Sequence, residues 1–150
     1  MKALFDLCKR TIAVDGDEVF VNALKDEGVQ AKIVSFNIIQ MYDEGIDSDG
    51  NSLGQYAQIT VEYYKPLAKT LGGDGRTDHI TLKDSGDFYK SFRVKLLSDG
   101  FQITADAIKE DTDLSVVYPK VIGLTSESKA MVAKLITPSI IDLIRKEILR

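Results

Sequence analysis

The residues that could do chemistry fall into a few short sets. His79 is the only histidine, with Asp78 before it and Ser85 six residues later, so a nucleophile, a base and an orienting carboxylate can be written within eight positions. A triad is defined by oriented hydrogen bonds, which three common residue types do not supply, so His79 is expected to be a structural histidine bonded to backbone or to a partner. Asp47-x-Asp49-x-Asn51 opens like a calcium loop, in which alternate oxygen ligands converge on one cation. Its sixth and twelfth positions hold Ser52 and Gln58, where such a loop needs Gly and a bidentate Glu, and the segment reads as a turn. Gly72-Gly73-Asp74-Gly75-Arg76-Thr77 could aim backbone amides at a phosphate, but it lacks the Gly-Lys-Ser/Thr ending and the preceding strand, and reads as a connector. Nothing makes two of the carboxylates of Glu44, Asp47, Asp49, Asp84 and Asp87 converge, so they read as solvated loop charges. No catalytic residue, cofactor site or metal site is expected.

The elements that must position these residues belong to one domain, 1–150, of a size that supports a single core. With 44% hydrophobic and 28% charged residues the composition is globular. Charges interrupt every apolar run well before the ~18 residues a membrane span needs, and neither export nor membrane contact is expected. Cys8 is the single cysteine, which excludes an intramolecular disulfide and a cysteine-based zinc site. A net charge of −4 with scattered Lys and Arg argues against dedicated nucleic-acid binding.

The expected fold class is α+β: N-terminal helices, a central antiparallel hairpin or sheet, and a C-terminal helix packed on the sheet. Apolar spacing from Asp15 to Gly45 predicts two helices, or one kinked near Gly28, with Gly45 as the stop and a surface loop over 47–52. Thr60 is expected to cap a short helix through Leu71, limited by Pro66. Alternation over Phe92–Leu97 and Phe101–Asp106, joined by Ser98-Asp99-Gly100, predicts a hairpin. The apolar patch Val116, Val117, Tyr118, Val121 and Ile122 fits either the core or an interface. Helical spacing returns at Ser126, and Thr137-Pro138 reads as a cap opening a final helix with Ile140, Ile141, Ile144 and Ile148 on one side.

The run Thr77-Asp78-His79-Ile80-Thr81-Leu82-Lys83-Asp84-Ser85-Gly86-Asp87-Phe88-Tyr89-Lys90-Ser91-Phe92 resembles proteins of Bacteroides phages and prophages, including crAss-like phages. Those read as Thr-Asp-His, Thr-Leu, then Asp-Ser/Thr-Gly-Asp-Phe-Tyr-x-Ser-Phe. The upstream run from Gly45 to Tyr56, followed by Thr60, is similar to the same pattern. In its order of elements the chain also resembles the tail-completion and virion-morphogenesis families of tailed phages. It departs from them in Phe88, where Leu is commoner, and in a loop only faintly echoed by Tyr118-Pro119 and Gly123-Leu124-Thr125.

The resemblance implies a non-enzymatic structural subunit of the virion, assembled in the host bacterial cytoplasm. It would form a homo-oligomeric ring at the head–tail connector or neck, or complete the tail, with other neck, portal or tail proteins as partners. DNA would pass through the lumen without specific binding, which the acidic balance suits because carboxylates repel phosphates. Ser85, Gly86, Phe88, Tyr89, Ser91, Phe92, His79 and Tyr118 are the candidate structural or interface residues. Within them Ser85-Gly86 supplies a tight turn, Phe88 and Phe92 share a helical face, and Ser91 bonds backbone at the strand entrance. Two other readings stay open: a small hydrolase or metal-dependent enzyme using His79, Asp78 and Ser85, and a phage-encoded adaptor or inhibitor.

Overall fold

A computed structural model describes residues 2–109 and 112–149, and it is α+β with a long C-terminal helix, as expected. The N-terminal half is α1 (Lys2–Ile12), α2 (Gly16–Ala23) and α3 (Glu27–Ile39), which runs on through a π-helical turn over Gln40–Glu44. The break between α2 and α3 falls at 24–26 rather than at Gly28. Asp15 and Asp26 each stand in extended conformation before a helix and accept first-turn amides, Asp17 and Glu18 on Asp15 and Val29 on Asp26. Those side-chain caps satisfy donors that a helix start leaves free, and they set the boundary.

The second helical stretch carries a π turn over Thr60–Tyr64 followed by α4 (Lys65–Thr70). Thr60 lies within that turn and its amide bonds the Ala57 carbonyl, so it is not the cap that its sequence position suggested. The widened turn precedes Pro66. Proline crowds the carbonyl four residues back, and a wide turn relieves that conflict.

After α5 (Asp87–Lys90), strands β1 (Arg93–Leu96) and β2 (Phe101–Thr104) pair antiparallel, with Leu96 opposite Phe101 and Leu97 closing the turn on the Gly100 carbonyl. This is the hairpin that the alternation predicts. A second small pair, β3 (Ile108–Lys109) with β4 (Thr112–Asp113), leads into α6 (Leu114–Val117). The apolar patch after it divides: Val116 and Val117 are exposed, Tyr118 and Ile122 half-buried, and Val121 buried.

α7 runs unbroken over Ser126–Leu149, and Pro138 lies inside it instead of opening a new helix. The start is at Thr125, whose Oγ1 accepts the Ser128 amide. Thr137 turns its hydroxyl back onto the Ala133 carbonyl at 2.6 Å, a bond made inside a helix rather than at its cap. α7 packs on α1, α2 and α3, and α3 packs on β1. Val132 and Ile136 of α7 share one buried cluster with Ile33 of α3 and with Phe92 and Ile103 beside and within the hairpin.

Candidate functional site

The polar centre of the molecule gathers loop residues with side chains from the first π turn, α4 and α5. Asp74, in the Gly-rich connector, is 7% exposed and accepts four hydrogen bonds. Lys65 Nζ of α4 donates at 2.9 Å and Thr81 Oγ1 at 2.7 Å to Oδ2, while the Arg76 amide at 3.1 Å and Tyr42 OH at 3.3 Å donate to Oδ1. Thr81 has a single hydroxyl proton, which goes to Asp74, so the contact of 3.0 Å between Tyr56 OH and Thr81 Oγ1 has tyrosine as the donor. Tyr56 OH in turn accepts the Thr81 amide at 2.9 Å, and Lys65 Nζ stands 4.2 Å from the Tyr56 ring centre. Tyr89 OH closes the set by donating to the Thr81 carbonyl. Leu82, beside Thr81, is held at φ 55, a left-handed conformation that costs a branched side chain about 1–2 kcal/mol.

Burial alone would raise the Asp74 carboxyl, but the bonds from Lys65, Thr81 and the Arg76 amide outweigh it and hold the group below the usual carboxylate range. Burial alone would lower the Lys65 ammonium, and its bonds to Tyr56 and Asp74 reverse that and raise it. Burial, then the nearby Tyr56 and Asp74, raises the Tyr89 phenol. The result is a desolvated ion pair in which each carboxylate oxygen accepts two hydrogen bonds and the ammonium meets both Asp74 and the Tyr56 ring, the kind of satisfaction under which such a pair persists.

A second set caps the π turn. Its Tyr42 carbonyl accepts Arg76 Nη1 at 2.9 Å and faces His79 Nε2 at 2.9 Å, while Arg76 also bonds Asp43 at 3.3 Å and Asp78 at 2.8 Å. His79 Nδ1 lies 3.0 Å from Asp78 Oδ2. Terminal carbonyls of a helix need donors, and the Arg76 guanidinium and the His79 ring face this one. Gly45 ends the turn at φ 63, where a Cβ would come within 2.4 Å of the His79 ring, so both the backbone and the close approach require glycine.

Among the residues singled out from sequence, Asp78 does meet His79, but Ser85 Oγ donates to Asp87 Oδ2 at 2.7 Å. The serine and histidine of the written triad therefore have separate partners. Asp47 forms an Asx turn, its Oδ1 accepting the amides of Asp49 and Asn51 at 2.9 Å each. Among the described residues no group of three or more His, Cys, Asp or Glu is placed to hold a metal ion, and no helix is long and apolar enough to cross a membrane.

Gly86 makes its turn at φ 86 before α5. Phe88 and Phe92 stack edge to face at 5.0 Å, and Tyr89 meets Phe92 the same way at 6.4 Å. Ser91 Oγ donates to the Phe88 carbonyl at 2.6 Å and accepts the Asp106 amide at 2.9 Å, joining α5 to the exit of β2. His79, Gly86, Phe88 and Phe92 are buried within the chain, Tyr89, Ser91 and Tyr118 half-buried, and Ser85 exposed.

Sequence reasoning missed two features. One is Asp74 itself, read as part of a connector. The other is a pair of amides one turn apart on α3. Asn37 donates to the Val121 carbonyl at 3.0 Å and accepts the Gly123 amide at 2.9 Å. Gln40 donates to the Gly123 carbonyl at 3.0 Å and accepts the Thr125 amide at 2.9 Å. Both side chains are buried, and together they hold segment 121–125 as a neighbouring strand would. The available signal was two amides three apart on an otherwise apolar helical face.

No family model, no curated protein and no solved structure matches this chain.

Proposed function

We propose that this chain is a structural subunit of a tailed-phage particle, assembling with its own copies as a ring at the head–tail connector or neck, or completing the tail. One observation carries the assembly part of this reading. The chain exposes 9865 Å², whereas a compact monomer of its 16.6 kDa exposes about 7,600 Å². That excess of roughly 2,300 Å² is of the order that subunits lose on association, a standard interface taking about 800 Å² from each partner. Much of the exposed apolar surface lies on α1 and on the helix ending in α4, where Leu4, Phe5, Ile12, Tyr63, Leu67 and Leu71 are all exposed. The phage context comes from the resemblance of 77–92.

Mass spectrometry of gradient-purified phage particles tests the reading. The expected result is this chain at several copies per particle. A chain abundant in the infected-cell lysate and missing from the particles overturns it and favours an adaptor or inhibitor.

A further inference from the structure

We infer that copies of this chain associate head to tail, the outer stripe of α1 on one copy seating on the exposed ridge of α4 on the next. This rests on the assembly reading above and adds which surfaces meet. At 100° per residue, Leu4, Phe5, Cys8 and Ile12 fall within about 100° of arc, and Leu7 and Arg10 fall outside it. Arg10 reaches the Ile148 carbonyl of α7 at 3.5 Å, and Leu7 is the least exposed large apolar residue of the helix at 39%. α1 thus packs on α7 with one side and turns an apolar stripe to solvent with the other. The second surface is the ridge of Ile59, Tyr63, Tyr64, Leu67 and Leu71, the first four of which line one shallow depression.

Area and charge select this pairing. A ring subunit covers two unlike faces, together about 1,600 Å², which the excess surface of the chain can supply. α1 carries Lys2, Lys9 and Arg10 against Asp6, and Lys9 Nζ lies 4.8 Å from the Phe5 ring centre at the edge of the stripe. Two α1 stripes facing each other would bring like charges together, whereas the ridge is flanked on one side by exposed Glu62 and Lys69, whose charges balance, so it sets no like-charge excess against the basic edge of α1. Phe5 on one side and Tyr63 and Tyr64 on the other are the aromatic types that dominate interface energetics.

Sedimentation velocity on the full chain, on Phe5→Glu, on Leu67→Glu and on their equimolar mixture tests the pairing. The wild type is expected to form larger species as concentration rises, each variant alone to stay monomeric, and the mixture to give a 1:1 dimer, because one intact stripe then meets one intact ridge. Both substitutions are at exposed positions, and circular dichroism confirms the fold. Maleimide labelling of Cys8 gives a second readout: in the mixture it slows only on the Leu67→Glu chain, whose α1 is the seated one. A variant that still self-associates, a mixture that stays monomeric, or a wild type that is monomeric throughout overturns the inference. So does a monomeric wild type that sediments with phosphatidylserine vesicles in a Phe5-dependent way, which assigns the stripe to lipid. A chain counted in particles whose mixture gives no dimer sinks this inference alone, and a mixed dimer with no chain in particles sinks the phage reading alone.

Discussion

Asp74 accepts four hydrogen bonds at 7% exposure, while Ile12 and Leu71, with no polar side chain to satisfy, stand 85% and 80% exposed. Around Asp74 every buried polar atom has a partner, and among the described residues none is left without one. On α1 and α4 the apolar side chains are the ones left unmatched. The first region is complete within one copy of the chain. The second is the face of the proposed association. On that proposal stability and assembly reside in different residues, and substitutions should separate them.

The largest effect is expected at the centre. Asp74→Ala leaves Lys65 charged and buried, a loss of about 3–5 kcal/mol in urea unfolding. Because the folded Asp74 is held below its unfolded value, its contribution is fully present above the ordinary carboxylate range and is lost as pH falls through the folded value. Asp74→Asn should accordingly flatten the acid limb of a stability-versus-pH curve. An unchanged acid limb would show that other groups set it.

Gly45→Ala comes next, at about 2–4 kcal/mol, from a left-handed alanine and a collision with His79. In a His79→Ala background part of that loss should vanish, by more than about 1 kcal/mol in a double-mutant cycle. Additive losses would mean that the ring is not the obstacle. Asn37→Leu keeps the branched shape but leaves the Val121 carbonyl and the Gly123 amide without their partner, at about 1–3 kcal/mol. Amide exchange should rise first at 123. The smallest effect on stability belongs to the outer face: Phe5→Glu and Leu67→Glu should stay within about 0.5 kcal/mol of wild type while changing the sedimenting mass, sharpening the contrast between the two regions.

Local chemistry was legible where the determinants lie close in sequence. The alternation around Val94 and Ile103 and the Asp99-Gly100 turn foretell the hairpin, and Phe88 and Phe92 meet because four residues make a helical turn. Gly45 was readable as a stop, but its encounter with His79 was not, because the second π turn and α4, with their flanking loops, separate the two in sequence. Pro138 misled because proline favours helix starts, and nothing local tells a start from an interior that packing against α1–α3 sustains. Lys65, Asp74 and Thr81 follow no periodicity, so their convergence belongs to tertiary structure alone.

The amides of Asn37 and Gln40 have a consequence for the chain as it is made. Their backbone partners lie 83 to 86 residues downstream. At ~5–20 residues per second of synthesis, those partners emerge about 4–17 s after α3. Burying α3 before residues 121–125 are made would leave both amides without the partners they have in the folded chain, at about 1–3 kcal/mol for each unpaired group, so docking of α3 is expected to follow their synthesis.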